Sequence, residues 1–327
     1  MSLDLSVIIL NWNTCALLEQ SLHSLRRPQE GITFEVLVVD NASSDNSREM
    51  VREKFPEMRL HTNPRNIGFG SGNNTGAKIA HGRYLLFLNS DTVVEENALA
   101  KMVHYGDENP NIGILGPKLL NEDGSLQYSC RRYPNLLTGV FRNTPLGKLF
   151  PSNRFAADYL MQEYDHETPR DVDWVSGAAL CLRRTLYEEI GAFDDDYFMY
   201  CEDVDLCWRA NHTPLPPALC LPSSEEPTPP ISVFSIGQED EKPENTWRVT
   251  YIPESRIFHY IGKSSDQAPT RMTYEFHRSQ HLYYKKHYRA LTPLWVRPLI
   301  PCGIWARALG QMARYRINYY RRKLLRH

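Results

Sequence analysis

At 327 residues the chain can bury the core of one large α/β domain or of two small ones, and its 42% hydrophobic and 23% charged content is that of an ordinary globular protein. No stretch reaches the ~18 uninterrupted apolar residues that a spanning helix needs, which argues against an integral membrane protein and for a soluble or peripheral one. The net charge of -2 hides an asymmetry, because no Asp or Glu follows Glu275 while twelve Lys and Arg do.

The first 120 residues alternate strand and helix patterns. Residues 5–10 (LSVIIL) form an apolar, β-branched run, the pattern of a strand buried on both faces. Residues 16–25 have helical spacing, and 34–39 form a second buried strand ending in Asp40. A polar turn at 42–47, rich in N-cap residues, opens a helix toward Phe55. Short strands are expected at 58–61 and 84–88, with a helix over 70–80 between them. Strands alternating with helices predict a mostly parallel, doubly wound sheet, and ligands of such sheets sit outside the carboxyl ends of the strands. Asn11, Asp40, Asn89, Ser90 and Asp91 fall at those ends.

The middle third reads as strands at 112–115, 126–130 and 178–182, a short helix at 185–190 and a strand at 248–252. Residues 212–245 break the pattern, with eight prolines and six acidic residues against one lysine; such a segment reads as an exposed loop inserted into the domain. The last fifth is basic and aromatic. Trp305, Leu309, Met312 and Tyr319 share one predicted helical face, so a basic helical extension over 276–327 is expected to follow a catalytic domain of 1–275. A basic end on an acidic body suits an anionic surface, a solvated helix, or a packing helix in a homodimer. The seven cysteines are scattered without a CxxC pair, and the N-terminus lacks the pattern of a secretory signal; both fit a reducing cytoplasm.

Five stretches carry chemistry. Asp91 in LNSDTVV puts a carboxylate beside an amide, suited to Mg2+ or Mn2+, or else caps a helix before Glu95. Asp40 in VVDNASSD either accepts hydrogen bonds from a base or ribose, or caps the next helix. The glycine-rich NIGFGSGNNTG (66–76) allows close approach of a ligand at a helix start, or is a plain flexible turn; its spacing is not that of a dinucleotide fingerprint. Glu202, Asp203 and Asp205 in FMYCEDVDLCWR lie among aromatics that would raise a carboxyl pKa toward that of a general base, or they complement a helix dipole. His259 in RIFHYIG is a metal or phosphate ligand, or a structural histidine at a strand end.

No single stretch decides the function, but their order does. SVIILNWNT, VVDNASSD, NIGFGSGNNTG, LLFLNSDTVV, GPKLLNEDGSLQYSCRRYP, WVSGAALCLRR, FMYCEDVDLCWR and YIPESRIFHYIGKSS follow one another as in the family 2 glycosyltransferases, and the chain resembles their rhamnosyltransferase-like branch from about Ser6 to Ser265. The resemblance implies a GT-A fold with a nucleotide-binding half over 1–120 and an acceptor half over 121–275. It implies donor-nucleotide contacts at Asn11, Asp40, Asn66 and Gly68. It matches Asn89-Ser90-Asp91 to the family's D-x-D motif, with Asp91 retained as metal ligand and Asn89 replacing the first Asp. Asp203, paired with Glu202, matches the catalytic base; His259 matches a histidine reaching the metal or diphosphate; Trp174 and Gly177 match a loop near the acceptor. The expected reaction is an inverting transfer of a sugar, rhamnose from dTDP-rhamnose at branch level, to a glycan or lipid-linked glycan. The expected cofactor is Mg2+ or Mn2+, and nucleic acid is not an expected partner. A nucleotidyltransferase is the rival enzyme, although 10–22 lacks the basic residue such an enzyme favours, and a non-catalytic sugar-nucleotide binder is the rival of another class.

Overall fold

The computed structural model describes residues 3–134, 154–220, 245–260 and 269–324. The central part of the Pro-rich insertion, 221–244, lies outside the described residues, as do Gly262 and the stretch around it.

Twelve strands are found among the described residues: β1 Leu5–Asn11, β2 Phe34–Asp40, β3 Arg59–Thr62, β4 Tyr84–Asn89, β5 Thr92–Val94, β6 Ile112–Leu120, β7 Leu126–Gln127, β8 Cys130–Arg131, β9 Arg170–Asp171, β10 Trp174–Val175, β11 Ala179–Arg183 and β12 Arg248–His259. The main sheet runs β3-β2-β1-β4-β11-β6-β12-β5, parallel from β3 to β4 and antiparallel at β11 and β5. The expected mostly parallel sheet flanked by helices is therefore present.

The two faces of β1, β2 and β4 explain why these runs are mostly apolar, Ser6 and Glu35 being the polar positions before their tips. Ile8, Leu37, Val39, Leu85 and Phe87 point into one buried cluster, and Leu5, Val7, Ile9, Val38, Leu86 and Leu88 into another. Side chains alternate across a strand, so a strand covered on both faces needs an apolar residue at every position. Register then aligns the polar tips: Asn11 pairs with Asp40, and Leu10 with Asn89.

Helices α1 Cys15–Ser24, α2 Ser47–Lys54, α3 Phe69–Ile79, α4 Ala98–Glu108, α5 Arg154–Tyr159, α6 Arg184–Ile190 and α7 Glu202–Asn211 belong to the layers around the sheet. Helix α4 was not expected. Helix α3 starts at Phe69, so most of the glycine-rich run lies inside it. A Cβ at Gly76 would stand 2.4 Å from Ile8 Cγ2, and one at Gly72 2.5 Å from Leu10 Cδ1. Those two glycines let α3 press onto β1; neither makes a flexible turn.

The helical capping readings of Asp91 and Asp40 do not survive. The chain after Asp91 enters strand β5, and α2 begins at Ser47 after Asn46, while Asp40 Oδ1 accepts from Ser43 N–H at 3.0 Å.

After β12 come α8 Pro269–Tyr283, a π-helical turn Tyr284–Tyr288, and α9 Leu299–Leu324. The division expected at 275/276 falls inside the single helix α8. On α9, Ala308 is buried and Trp305 Nε1 donates to His281 Nδ1 at 3.1 Å, whereas Leu309 is exposed. The inner face thus includes Trp305 and Ala308, and Leu309 is not part of the shared apolar face expected for it. No described helix is long and apolar enough to cross a membrane.

Candidate active site

The carboxyl ends of β1, β2 and β4 meet in one connected polar cluster. Asn11 Nδ2 donates to Asp40 Oδ2 at 3.2 Å and to Ser43 Oγ at 3.1 Å, while Asn11 Oδ1 accepts from Thr14 Oγ1 at 2.7 Å. Thr14 Oγ1 also lies 2.8 Å from Ser90 Oγ, which ties the first strand to the Asn89-Ser90-Asp91 turn. Asn11, Asp40, Ser90 and Asp91 are all buried, and buried polar groups in such a network are held in one orientation by their mutual bonds.

The loop from β3 to α3 closes the same edge. Asn41 Nδ2 donates to Asn66 Oδ1 at 3.0 Å and to Gly68 O at 3.1 Å, and Asn66 Oδ1 accepts from Gly68 N–H at 3.0 Å. Gly68 has φ 95°, and a Cβ there would come within 2.5 Å of Phe198 O. Only glycine fits this turn without strain. Phe69 N–H donates to that same Phe198 carbonyl at 2.7 Å, joining the glycine-rich loop to the FMYCED segment.

Across the turn, His259 at the end of β12 pairs with Thr92 of β5 and faces Asp91 at Nε2···Oδ1 3.4 Å; Asn89 Nδ2 lies 3.4 Å from the same Nε2. Gln127 fixes the ring. Its Nε2 donates to Asn121 Oδ1 at 3.0 Å and to His259 O at 3.3 Å, so its Oε1 faces His259 Nδ1 at 2.7 Å and must accept from it. In its neutral form the ring would turn an Nε2 lone pair toward Asp91, and a carboxylate with such a nitrogen could hold a cation between them, the orientation by Gln127 being the support that ligating histidines commonly have. No group of three or more His, Cys, Asp or Glu gathers as a metal site among the described residues. The protein thus offers a partial donor set, of a size that leaves room for phosphate oxygens and water around Mg2+ or Mn2+.

Asp203 sits in the first turn of α7. Its Oδ2 accepts from Gly177 N–H at 3.0 Å and its Oδ1 from Val204 N–H at 2.9 Å. Burial raises its pKa, against the lowering effect of those two N–H groups and of the Arg131 guanidinium. Burial, the Asp203 charge and the Asp205 charge push Glu202 well above the usual carboxylate range, and Glu202 Oε2 has no hydrogen-bond partner among the described residues. Asp205 goes the other way. Burial would raise it, but His287 Nε2 at 2.8 Å and Arg209 Nε at 2.9 Å hold it below the ordinary value. Tyr200 (φ 72°) and Cys201 (φ 65°) precede the pair in left-handed backbone, a costly conformation in the middle of a functional segment.

The predicted residues fall into place unevenly. Asn11, Asp40, Asn66, Gly68, Ser90 and Asp91 stand together at the carboxyl ends of the parallel strands, with Asn89 and His259 beside them. Asn89 N–H donates to Ala178 O at 2.9 Å, one residue from the Gly177 that holds Asp203, so the short segment leading into β11 links the Asn89–Asp91 turn to Asp203. Trp174 is apart: it is buried, donates to Arg132 O at 2.9 Å, and is covered by Arg131 at 4.9 Å. Sequence reasoning missed Thr14, Asn41, Ser43, Gln127, Arg131 and His287. Gln127 and Arg131 stand in the SLQYSCRRYP stretch, where neither residue type advertises a role without its neighbour in space.

A polar edge at the strand ends, a carboxylate–histidine pair and a separate raised carboxyl thus lie together on a GT-A sheet, the fold of glycosyltransferases. The chain belongs to glycosyl transferase family 2, whose sequence profile matches residues 6–190. It is similar to the N-acetylglucosaminyl-diphospho-decaprenol L-rhamnosyltransferase of Mycobacterium tuberculosis, 26% identical over 290 residues that cover 85% of this chain and 83% of the relative. It also resembles the rhamnosyltransferase WbbL of Escherichia coli, 29% identical over 153 residues, 43% of this chain and 53% of that one. Among solved structures, the mannosyltransferase PcManGT from Pyrobaculum calidifontis, determined with GDP-Man and Mn2+, shares the fold at a TM-score of 0.50 and 17% identity, covering 96% of this chain and 74% of that one.

Proposed function

We propose that this glycosyltransferase moves a deoxyhexose, rhamnose from dTDP-rhamnose, onto a hydroxyl of a lipid-linked glycan, with inversion at the anomeric carbon. The relatives named as rhamnosyltransferases support the sugar, and the M. tuberculosis relative's name supports an acceptor on a polyprenyl diphosphate. The observation that carries the mechanism is Asp203: a carboxylate aimed by two backbone N–H groups, with burial raising its pKa.

An acceptor hydroxyl has a pKa far above neutrality and needs a base in the transition state, a contribution worth ~10²–10⁴-fold. Asp203 takes that proton as the hydroxyl oxygen attacks the anomeric carbon and the nucleoside diphosphate leaves. Asp205 is committed to Arg209 and His287, so it is not free for either role. With one base and no separate nucleophile, a single displacement with inversion is the simpler course.

Asn11, Asp40, Asn66 and Gly68 line the donor pocket in this reading, and Gly177 with the Arg131 side chain over Trp174 borders the acceptor. Asp91 and His259 would hold Mg2+ or Mn2+, which when bound offsets negative charge on the departing diphosphate. The Mn2+ in the mannosyltransferase structure supports that choice.

The test is a donor panel with a polyprenyl-diphosphate-linked glycan, read by mass spectrometry, on wild type and Asp203→Asn. We expect transfer from dTDP-rhamnose, a fall of ~10²–10⁴-fold in the variant, and unchanged donor binding by calorimetry. An active Asp203→Asn enzyme would remove the assigned base, and a product of retained configuration would remove the single displacement.

A further inference from the structure

The C-terminal unit carries a surface that the transfer reaction does not use. All but one of the large apolar side chains exposed among the described residues lie C-terminal to Thr273, Tyr128 being the exception. They concentrate where α8 turns into α9: Leu291 is 42% exposed, Leu294 and Trp295 each 76%, and Leu299 60%. This turn is built, not loose. Arg297 Nε donates to Thr292 O at 2.9 Å and its Nη2 to Ala290 O at 3.2 Å, while Thr292 Oγ1 donates to Tyr288 O at 2.7 Å. Leu299 N–H closes on Val296 O at 2.9 Å. A fixed turn that presents an indole and three leucines to water has its apolar groups ordered before any partner arrives.

The charge around the turn says what the partner is. Lys285 and Arg289 are exposed just before it, Arg314 is exposed on α9, and no carboxylate side chain occurs after Glu275. From Arg278 onward there are twelve cations, whereas residues 1–275 hold all 39 Asp and Glu against the other 25 of the 37 Lys and Arg. A second copy docking on the same face would bring together two segments that carry Lys and Arg but no Asp or Glu, which a twofold contact cannot avoid. Trp and Leu at a headgroup boundary with Lys and Arg beside them are what an anionic bilayer surface selects.

We propose that the turn at 289–303 is a membrane-docking wedge, with Leu291, Leu294, Trp295 and Leu299 entering the headgroup–acyl boundary of an anionic bilayer and the exposed Lys285, Arg289 and Arg314 engaging its phosphates. The wedge joins directly to the catalytic unit: Ser279 Oγ donates to Met199 O at 2.8 Å, and Lys286 pairs with Asp194 and Asp196, on the segment leading into Asp203. Docking therefore sets the orientation of the base-bearing segment to the bilayer, whatever glycan the acceptor lipid carries.

The test uses the full chain and sedimentation with vesicles that hold no glycan lipid, so its outcome is independent of the acceptor and donor readings. Vesicles of equal phosphatidylcholine and phosphatidylglycerol should pull down the wild type, phosphatidylcholine alone should not, and high salt should weaken the binding. The double variant Leu294→Asp, Trp295→Asp should bind roughly tenfold or more weakly, with wild-type thermal unfolding showing that the fold is intact. Because both residues are exposed, a folded variant is expected. Wild type remaining in the supernatant, or a variant that binds as well, overturns the proposal. A solution dimer that the same variant dissociates, with no vesicle binding by either protein, overturns it in favour of a second copy.

Discussion

At the scale of single residues the Glu202–Asp203 pair is the most informative feature. Burial and a neighbouring carboxylate both favour the protonated form, so Glu202 binds its proton more tightly folded than unfolded. The sign follows from linkage: a carboxyl raised on folding takes stability away as pH climbs from its unfolded value through its folded one. Glu202→Gln has no proton to lose. It should therefore match the wild type near about pH 4 and exceed it near about pH 8 by on the order of 1 kcal/mol, read as a higher midpoint in denaturant. Glu202 holds its proton more tightly than Asp203 does, so it is neutral while Asp203 ionises, and the same variant should leave both the transfer rate and the acid limb of the pH–rate profile close to wild type. In the wild type, with Asp203 acting as the proposed base, that limb should lie above the value of an unperturbed aspartate, because burial raises Asp203. The sequence showed three carboxylates in four positions; that Glu202 and Asp203 are raised and Asp205 lowered is a matter of what packs against each.

Among elements, α3 shows how a pattern can be seen and misread. GFGSGNNTG reads as a ligand loop because its glycines permit close approach, and close approach is what they provide, but to Ile8 and Leu10 of β1 at Gly76 and Gly72. Gly68 alone meets the left-handed backbone requirement at the donor edge. Gly68→Ala should destabilise by about 1–3 kcal/mol, because its Cβ would strike Phe198 O, a backbone atom that cannot turn aside. Donor affinity should fall with it, and calorimetry against thermal unfolding separates the two effects. Strand β5 is the counterpart. Three residues after Asp91 were too few to show a period, and they form a strand because β12 lies ready to pair with them. That pairing brings His259 to Asp91 from 168 positions along the chain, which no local signal could announce.

For the whole molecule, the decisive finding is where the catalytic body ends. Tyr283 and Tyr284 are buried, and His287 reaches Asp205 inside α7, so the chain between 276 and 292 completes the support of the base helix. His287→Ala should lower stability by about 1–3 kcal/mol, since it leaves a buried carboxylate with fewer partners, and thermal unfolding measures this. Sign again matters: Asp205 is lowered on folding, so the stability it contributes is present above its unfolded value and is lost as pH falls through the folded one. Ending the chain at Glu275 should abolish cooperative unfolding, a far larger effect than the point variant.

Read alone, the sequence determined the doubly wound sheet, the strand ends that carry Asn11, Asp40 and Asp91, and the family to which their order belongs. Those features are local: an apolar run buried on both faces and a polar residue at its tip are written in consecutive positions. What only the tertiary structure decided is which distant groups meet. Gln127 orients His259, Gly177 holds Asp203, and His287 secures Asp205, each over long stretches of chain. Such pairings depend on strand register and helix packing, and these are settled by the burial of the whole core rather than by any one segment.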